Sequence, residues 1–286
     1  MTSRMAAVAA AFLSLAAVPA GSAAQEVAAP AARASGAVLT GELRQGGLVR
    51  GEAPAGAVAV ELDGKPVPLS GDRRFLIGFD RDASAQARLL IRFADGRTSE
   101  QIVPVAPGAW RIERIDVARR PGGASEAYRK LREGEMARIA AARARTNDVA
   151  GWRQRFVWPA RGRISGVFGS QRFYRGEPAA FHSGVDVAPG AGALVVAPAD
   201  GVVVLAGPPQ FSLEGNLVII DHGLGLNSAF LHLGSVAVRQ GQPVRQGDPI
   251  GTVGATGRAT GPHLHWSMKW QDARIDPQRL VAATTD

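Results

Sequence analysis

Short apolar runs broken by glycine recur along most of this 286-residue chain, and they limit the fold more than any other feature. In the first half, Val58, Val60 and Leu62 alternate with neighbouring side chains, and the stretch 89–93 repeats the pattern. Because successive side chains of a strand point to opposite faces, this period of two predicts half-buried strands. The first half is therefore predicted to be mainly β.

Two Asp-Gly pairs, Asp63-Gly64 and Asp95-Gly96, each separate two such runs. Glycine accepts the positive φ angles of a two-residue hairpin turn, so each pair predicts a hairpin. A small β-sandwich over residues 36–106 is the expected product. Nothing in this segment gathers His, Asp or Glu at the spacing of metal ligands. We therefore interpret it as a spacer or docking module and assign it no chemistry.

The second half, residues 152–286, returns to short apolar runs and is predicted to form a second β domain with an antiparallel sheet. Asp200-Gly201 is a further hairpin signal, and the glycine-containing loop 222–225 joins two more strands. The apolar runs of this half lie at 194–197, 202–205, 217–220, 229–233 and 263–268.

A connecting α-helix is predicted from Ser125, which can cap it, to about Arg145. It lies in a linker, 107–151, and the part from 111 to 155 has twelve Lys and Arg against six Asp and Glu. This surplus of six accounts for most of the net charge of +8. We interpret it as a solvated helix face; contact with an anionic polymer is the alternative. Its predicted apolar face consists of Tyr128, Leu131, Met136 and Ile139.

The first 24 residues resemble a secretory signal peptide, with Arg4, an apolar stretch over 5–18 and small residues before Gln25. A membrane anchor is the alternative, but the apolar stretch is shorter than the ~20 residues needed to span a bilayer. Residues 25–35 are predicted to be a flexible lead-in. We expect an exported protein of the periplasm or cell envelope, without a transmembrane anchor after cleavage and without nucleic acid as a partner.

The chain has no cysteine, so any metal must be bound by histidine and carboxylate. All five histidines fall between positions 182 and 265, which favours a shared site. His263 and His265 are two residues apart, so a strand would direct both rings to the same face. His182 and Asp186 form a second pair, with Gly184 between them permitting a bend. A catalytic zinc needs only three protein ligands plus water. The spacing alone does not divide the candidates between ligands and catalytic groups.

Four separated motifs in the second half resemble the M23 metallopeptidases of the lysostaphin or LytM type. The similarity covers roughly 158–277, and the order and spacing of the motifs match that family. These motifs are FHSGVDVAPGAGALVVAPADGVV, GNLVIIDHGLG, FLHL and GATGRATGPHLHW.

The resemblance implies roles for five residues. It implies that His182, Asp186 and His265 bind one zinc ion, while His263 and His232 activate water and stabilise the transition state, with His263 as the base. His222 lies in the family's His-Gly turn, and we interpret it as a hydrogen-bonded loop residue. Phe230 stands where the family often has tyrosine, which removes a hydroxyl but no ligand.

Residues just upstream of His182 border the substrate groove in this family. Arg172, Tyr174 and Glu177 therefore either contact substrate or are ordinary polar residues of an exposed loop.

The implied activity is hydrolysis of peptide crosslinks or stem peptides of bacterial peptidoglycan by a zinc endopeptidase. The alternative is a non-hydrolytic LytM-type regulator that activates another wall hydrolase, with an envelope protein as its partner. A third hypothesis is autoinhibition, in which the first half or the basic helix blocks the groove.

Overall fold

The computed structural model describes residues 36–118 and 125–281. The predicted signal peptide and lead-in lie outside these ranges. Within them, no helix combines the length and the apolar character that crossing a membrane would require. The described elements are strands with one α-helix and two single turns of 3-10 helix, at Gly151–Arg153 and Pro277–Arg279, which confirms the predicted mainly β fold.

The first half forms two small antiparallel sheets, as predicted for a β-sandwich. One sheet has the order β1-β2-β5 and the other β4-β3-β6-β7. Leu89 and Ile91 of β6 are fully buried, because the alternating pattern turns one face of this strand inward. Phe75 and Leu76 of β5 are also fully buried, so this strand is covered on both faces. The strands are β1 (Val38–Gly41), β2 (Leu48–Glu52), β3 (Ala57–Leu62), β4 (Lys65–Val67), β5 (Arg74–Gly78), β6 (Gln86–Phe93) and β7 (Thr98–Pro104).

The two predicted hairpins of this half differ in their turns. Asp63-Gly64 is a two-residue turn between β3 and β4, and both residues have positive φ, +49° and +77°. Asp95-Gly96 lies between β6 and β7, but strand pairing ends at Arg92 and Thr98, so the turn is longer than predicted.

The second half is built around a ten-stranded sheet in which every pairing is antiparallel, with the main order β17-β14-β15-β16-β19-β12-β9. A separate three-stranded sheet has the order β11-β10-β8. The elements are β8 (Ile112–Ile115), α1 (Glu126–Arg143), β9 (Arg163–Gly166), β10 (Gln171–Tyr174), β11 (Glu177–Pro178), β12 (Gly184–Ala188), β13 (Leu194–Val196), β14 (Gly201–Leu205), β15 (Asn216–Asp221), β16 (Leu226–Val236), β17 (Pro243–Val244), β18 (Pro249–Val253), β19 (Leu264–Trp270) and β20 (Ala273–Ile275).

Asp200-Gly201 does not form the predicted hairpin. The strand before it, β13, pairs with β18, whereas β14 after it pairs with β15 and β17. A Cβ atom at Gly201 would lie 2.5 Å from the carbonyl oxygen of Asp221. Glycine is needed here for close packing against β15 and not for a turn. The loop 222–225 does join two paired strands, β15 and β16, as predicted.

Helix α1 begins where the sequence predicted, but a different face is buried. The Ser125 hydroxyl accepts a hydrogen bond from the Tyr128 amide. Leu131 and Met136 are about half exposed, 53% and 51%, so the predicted apolar face is wrong at these two positions. Ile139 and Ala142 pack on the outer side of β14 and β15. The helix is otherwise attached through charged residues.

A partly buried ion pair fixes helix α1 to the loop before β15. Arg132 donates to both carboxylate oxygens of Glu214 at 2.7 and 3.0 Å. Glu135 accepts hydrogen bonds from the amide and hydroxyl of Ser212. Burial alone would raise the pKa of Glu135, but the hydrogen bonds from Ser212 and Arg132 outweigh it and lower the pKa. Part of the basic surplus of the linker is therefore used within the molecule.

The two halves share one hydrophobic core, which includes Phe75 and Leu89 as well as Trp266 and Trp270. Asp80, just after β5, accepts hydrogen bonds from the Arg274 guanidinium at 2.9 and 3.0 Å and from its amide. A Cβ atom at Gly78 would lie 2.8 Å from Ile275, so the two halves pack closely here. The division into domains at 106 and 152 stays a prediction.

The Asp80–Arg274 pair predicts a pH-dependent contribution to stability. Burial would raise the pKa of Asp80, but hydrogen bonds from Arg274 outweigh it and lower the pKa below the ordinary 3.8. The contribution is therefore complete above that ordinary value and is lost as the pH falls through the lowered one. We expect Asp80→Asn to lower the melting temperature by about 2–4 °C at pH 7, for a loss of about 1 kcal/mol.

Thermal melts of Asp80→Asn and the unaltered protein from pH 7 to about pH 3 check this expectation. The difference between them should shrink toward the acid end. Asp148→Asn is the matched control, because Asp148 is exposed and has no hydrogen bond in the described part of the chain. A difference that stayed constant with pH would contradict the prediction.

Candidate metal centre

Two neighbouring strands place the predicted ligand residues together. Strand β12 pairs with β19, and Asp186 lies directly opposite His265 in that pairing. His182 lies two residues before β12, and His263 immediately before β19, where it bridges to Gly254. Residues 79 or more positions apart in the sequence are brought side by side by this one strand pairing.

Three donor atoms converge on one point. His265 Nδ1 lies 2.8 Å from Asp186 Oδ1, and His182 Nε2 lies 3.0 Å from the same oxygen and 3.1 Å from His265 Nδ1. Zinc holds such ligands at about 2.0–2.2 Å, which separates two tetrahedral donors by about 3.3 Å. The three atoms lie a few tenths of an ångström closer together than this, and two imidazoles with a carboxylate suit zinc. Their donor atoms form a three-residue group that fits a catalytic zinc ion.

Hydrogen bonding and close packing orient these ligands. The Val167 carbonyl accepts from His182 Nδ1 at 3.2 Å, which leaves the lone pair of Nε2 directed at the other donors. Gly184 has the role of providing space and not a bend, because a Cβ there would lie 2.8 Å from His265 Nε2. Gly166 similarly leaves room for Asp186, whose Oδ2 would be 2.4 Å from a Cβ atom.

The electrostatics favour an ionised carboxylate at the centre. Burial would raise the pKa of Asp186, but hydrogen bonds to His182 and His265 hold that pKa far below its ordinary value. Burial lowers the pKa of His265 and favours its neutral form. For His182, burial acts in the same direction, but the hydrogen bond to Asp186 outweighs it and raises the pKa. Before a metal ion binds, the carboxylate thus attracts a proton to the His182 ring.

The two remaining site histidines lie beside the cluster. The His232 and His263 ring centroids are 4.9 Å apart, and His263 Nε2 is 3.8 Å from Asp186 Oδ1. His263 Nδ1 donates to the Gly261 carbonyl at 2.8 Å, and His232 Nδ1 donates to the Thr256 carbonyl at 2.9 Å. With Nδ1 carrying a hydrogen, Nε2 is the atom of each ring that can accept a proton.

The backbone of His232 is held in an unusual conformation. Its φ is +63°, a left-handed value that few residues other than glycine adopt. The pairing of β15 with β16 shifts register at this point, and the His232 amide donates to the Glu214 carbonyl at 2.8 Å. Strain of this kind concentrates at functional sites, where it directs a side chain out of its regular position. The shift directs His232 toward the cluster.

His222 lies apart from this cluster. It is fully buried, and its ring nitrogens contact the Asp200 carbonyl at 2.8 Å and the Ser228 hydroxyl at 2.5 Å. Burial lowers the pKa of His222 to about 4. With both nitrogens engaged and no solvent contact, this neutral ring holds the loop 222–225 in place.

The residues upstream of His182 form a short hairpin, β10 with β11. Arg172 pairs with Glu113 of β8 at 2.8 Å, so this guanidinium is already engaged within the chain. Tyr174 is half-buried and Glu177 is exposed. Sequence reasoning missed two residues that hold the start of this hairpin, Arg81 of the first half and Trp110 of the linker. No local motif marks either residue, because their partners lie far away in the sequence.

Comparison with known proteins identifies the family. Residues 180–277 match the model of peptidase family M23. A crystal structure from Pseudomonas aeruginosa, assigned to peptidase M23, is 31% identical to the chain and has a TM-score of 0.64. This similarity covers 85% of this chain and 96% of that one. The chain belongs to the M23 peptidase family.

Two similar proteins have different named functions, one an endopeptidase and the other an activator of hydrolases. The chain is 39% identical over 116 residues to the peptidoglycan DD-endopeptidase ShyA of Vibrio cholerae, covering 40% of this chain and 26% of ShyA. It is 31% identical over 136 residues to the murein hydrolase activator NlpD of Escherichia coli, covering 48% of this chain and 32% of NlpD. The chain thus matches about a quarter to a third of the length of these two relatives.

Proposed function

We propose that this protein is a zinc-dependent endopeptidase that hydrolyses peptide crosslinks or stem peptides of peptidoglycan. The observation that carries the proposal is the convergence of His182, Asp186 and His265, with two further histidines beside them. A structural zinc site is closed by four protein ligands, whereas a catalytic one has three and an open position. Three donors flanked by two proton-accepting rings fit the catalytic kind.

His182, Asp186 and His265 would hold the ion. When bound, zinc supplies Lewis acidity toward the scissile carbonyl and lowers the pKa of water. His263 accepts the proton of the attacking water at Nε2, and the Gly261 carbonyl keeps the ring in the required tautomer. The protonated ring then returns this proton to the leaving amine nitrogen.

His232 is assigned to the substrate oxyanion. Its Nδ1 hydrogen is donated to the Thr256 carbonyl, so it can donate to substrate only through a protonated Nε2. Burial lowers the pKa of His232 and keeps the ring neutral in the free protein, so the ring takes up a proton from solvent at Nε2 when it binds the oxyanion. The hydrogen bonds from Nδ1 to backbone carbonyls give His232 and His263 the same tautomer. The division of roles between the two rings, with His263 as the base and His232 at the oxyanion, is a prediction.

The location we propose is the periplasm or cell envelope, reached by export through the segment 1–24. The substrate class supports this location, because ShyA is named for action on peptidoglycan, a polymer of the envelope. The alternative function, activation of another wall hydrolase, is supported by the similarity to NlpD. Retention of all five site residues favours hydrolysis, since an activator has no need of a complete ligand set.

Release of soluble muropeptides from purified peptidoglycan tests the proposal. The purified protein is assayed after chelator treatment, with and without added zinc, and mass spectrometry identifies the bond that is cut. We expect zinc-dependent cleavage of a peptide bond. A zinc-loaded protein that releases nothing, yet increases release by a separately added wall amidase, would replace this proposal with the activator function.

A further inference from the structure

Segment 168–182 contains the β10–β11 hairpin and leads from β9 to the first metal ligand, His182. Its beginning is hydrogen-bonded to the backbone of that ligand: the Gly169 amide donates to the His182 carbonyl at 2.8 Å, and the His182 amide donates to the Ser170 carbonyl at 2.9 Å. Whatever fixes Gly169 and Ser170 therefore also fixes the backbone of His182.

Arg81, from the first half of the chain, forms hydrogen bonds to this segment. Its Nε donates to the Gly169 carbonyl at 3.0 Å, and its Nη2 donates to the Gln171 side chain at 2.9 Å. Its Nη1 pairs with Asp82 at 2.5 Å. The Arg81 side chain is only 8% exposed. All three nitrogens of the Arg81 guanidinium are hydrogen-bonded, and the group has little contact with solvent. It therefore restricts the positions of its partners more than a mobile surface arginine would.

Aromatic packing holds the same segment at both ends. The Arg81 guanidinium lies 4.9 Å from the Phe181 ring, whose other cationic neighbour, Arg274, is 4.2 Å away. Phe181 directly precedes His182. At the other end, a Cβ atom at Gly169 would lie 2.2 Å from the ring of Trp110, and Gly169 has a φ of +78°. Only glycine allows Trp110 to pack so closely on this backbone.

Strand pairing adds a third attachment. Strand β8 runs parallel to β10, with Ile112 opposite Gln171 and Ile115 opposite Tyr174. By contrast, β10 pairs with β11 at only two positions. An isolated two-stranded hairpin of this size is marginal in water, so the hairpin depends on β8 for its order.

We propose that Arg81 is a positioning residue for the metal centre, acting through Gly169 on the backbone of His182. The first half of the chain thus contributes to the site, which goes beyond the spacer or docking module predicted from sequence. The role assigned to the ion rests on the proposed function, whereas the ordering of segment 168–182 does not.

A purely structural role for Arg81 is the competing explanation, and Arg50 offers a matched control. Arg50 also extends from the first half to backbone carbonyls of the second, donating to Trp152 at 3.2 Å and Gln154 at 2.9 Å. Within the described residues, the Arg50 side chain has no hydrogen bond to segment 168–182. Arg50→Met should therefore weaken the attachment of the two halves without disturbing His182.

The experiment compares the whole protein with Arg81→Met, Arg81→Lys and Arg50→Met. Zinc affinity is measured by competition with a chromophoric chelator, and hydrogen exchange of peptides from 168–182 is measured in metal-free protein. We expect Arg81→Met to weaken zinc binding by about 10–100-fold and to speed exchange in this segment. Arg81→Lys should give a zinc affinity and an exchange rate between those of the unaltered protein and Arg81→Met, because an ammonium group cannot reproduce the planar array of guanidinium donors. Arg50→Met should lower the melting temperature but leave both readouts unchanged.

Unchanged exchange of 168–182 in Arg81→Met would overturn the inference, as would equal effects of Arg50→Met on both readouts. If the unaltered protein binds no zinc, the proposed cofactor fails. The exchange of 168–182 would then still decide whether Arg81 orders the segment, so the two failures are distinguishable.

Discussion

Replacing His265 with alanine is expected to remove both zinc and hydrolysis, with muropeptide release falling to the level of a protein-free sample. His265 Nδ1 is one of three converging donors and lies 2.8 Å from Asp186 Oδ1. Its loss leaves one imidazole and one carboxylate, which are too few ligands for a catalytic zinc ion. Burial also lowers the pKa of His265 and keeps its lone pair available in the unaltered protein.

Zinc content per chain, measured by mass spectrometry after dialysis, and muropeptide release are read on the same samples. Ser267→Ala is the matched control, because Ser267 lies two residues further on the same face of β19 and outside the donor cluster. It should retain both zinc and activity. A His265→Ala variant that folded and still held one zinc per chain would refute the ligand assignment.

Replacing His263 with alanine should separate binding from catalysis. His263 Nε2 is 3.8 Å from Asp186 Oδ1, and the ring lies outside the three-donor group. We therefore expect zinc content to stay at the level of the unaltered protein. Hydrolysis should fall by about 10²–10⁴-fold, the contribution of a positioned general base.

The matched comparison is His232→Ala, whose ring is 4.9 Å from that of His263. It should also retain zinc and lose activity, by about 10²–10³-fold if it stabilises the oxyanion. Rates measured at saturating substrate with equal zinc loading compare the two variants. If His263→Ala lost zinc together with activity, His263 would be a ligand and the proposed division of roles would be wrong.

Local sequence signals predicted the elements that depend on neighbouring residues. Alternating apolar residues predicted the strands, Ser125 predicted the start of α1, and Asp63-Gly64 predicted a tight turn. Each depends on contacts within a few positions, where backbone sterics and side-chain period decide the outcome. Asp200-Gly201 failed because its glycine serves packing against Asp221, a contact with a strand elsewhere in the sheet.

Helix α1 and the first half contain contacts that local sequence signals do not predict. The buried side of α1 carries Arg132 and Glu135, which a search for an apolar face passes over. Their burial depends on Ser212 and Glu214, more than 70 residues away. Arg81 likewise has its partners 88 and 90 positions further along. No short-range sequence pattern predicts contacts between residues so far apart in the chain.

The sequence by itself determined the mainly β class, the helix start and, through motif resemblance, the five candidate site residues. Tertiary structure alone decided that Asp186 lies opposite His265, that Gly184 makes room for that ring, and that Arg81 holds the segment before His182. The physical reason is the distance along the chain over which each kind of interaction acts. Periodicity and turn preference act over a few residues, whereas the geometry of a metal centre depends on which distant strands pair, and that is set by the packing of the whole core.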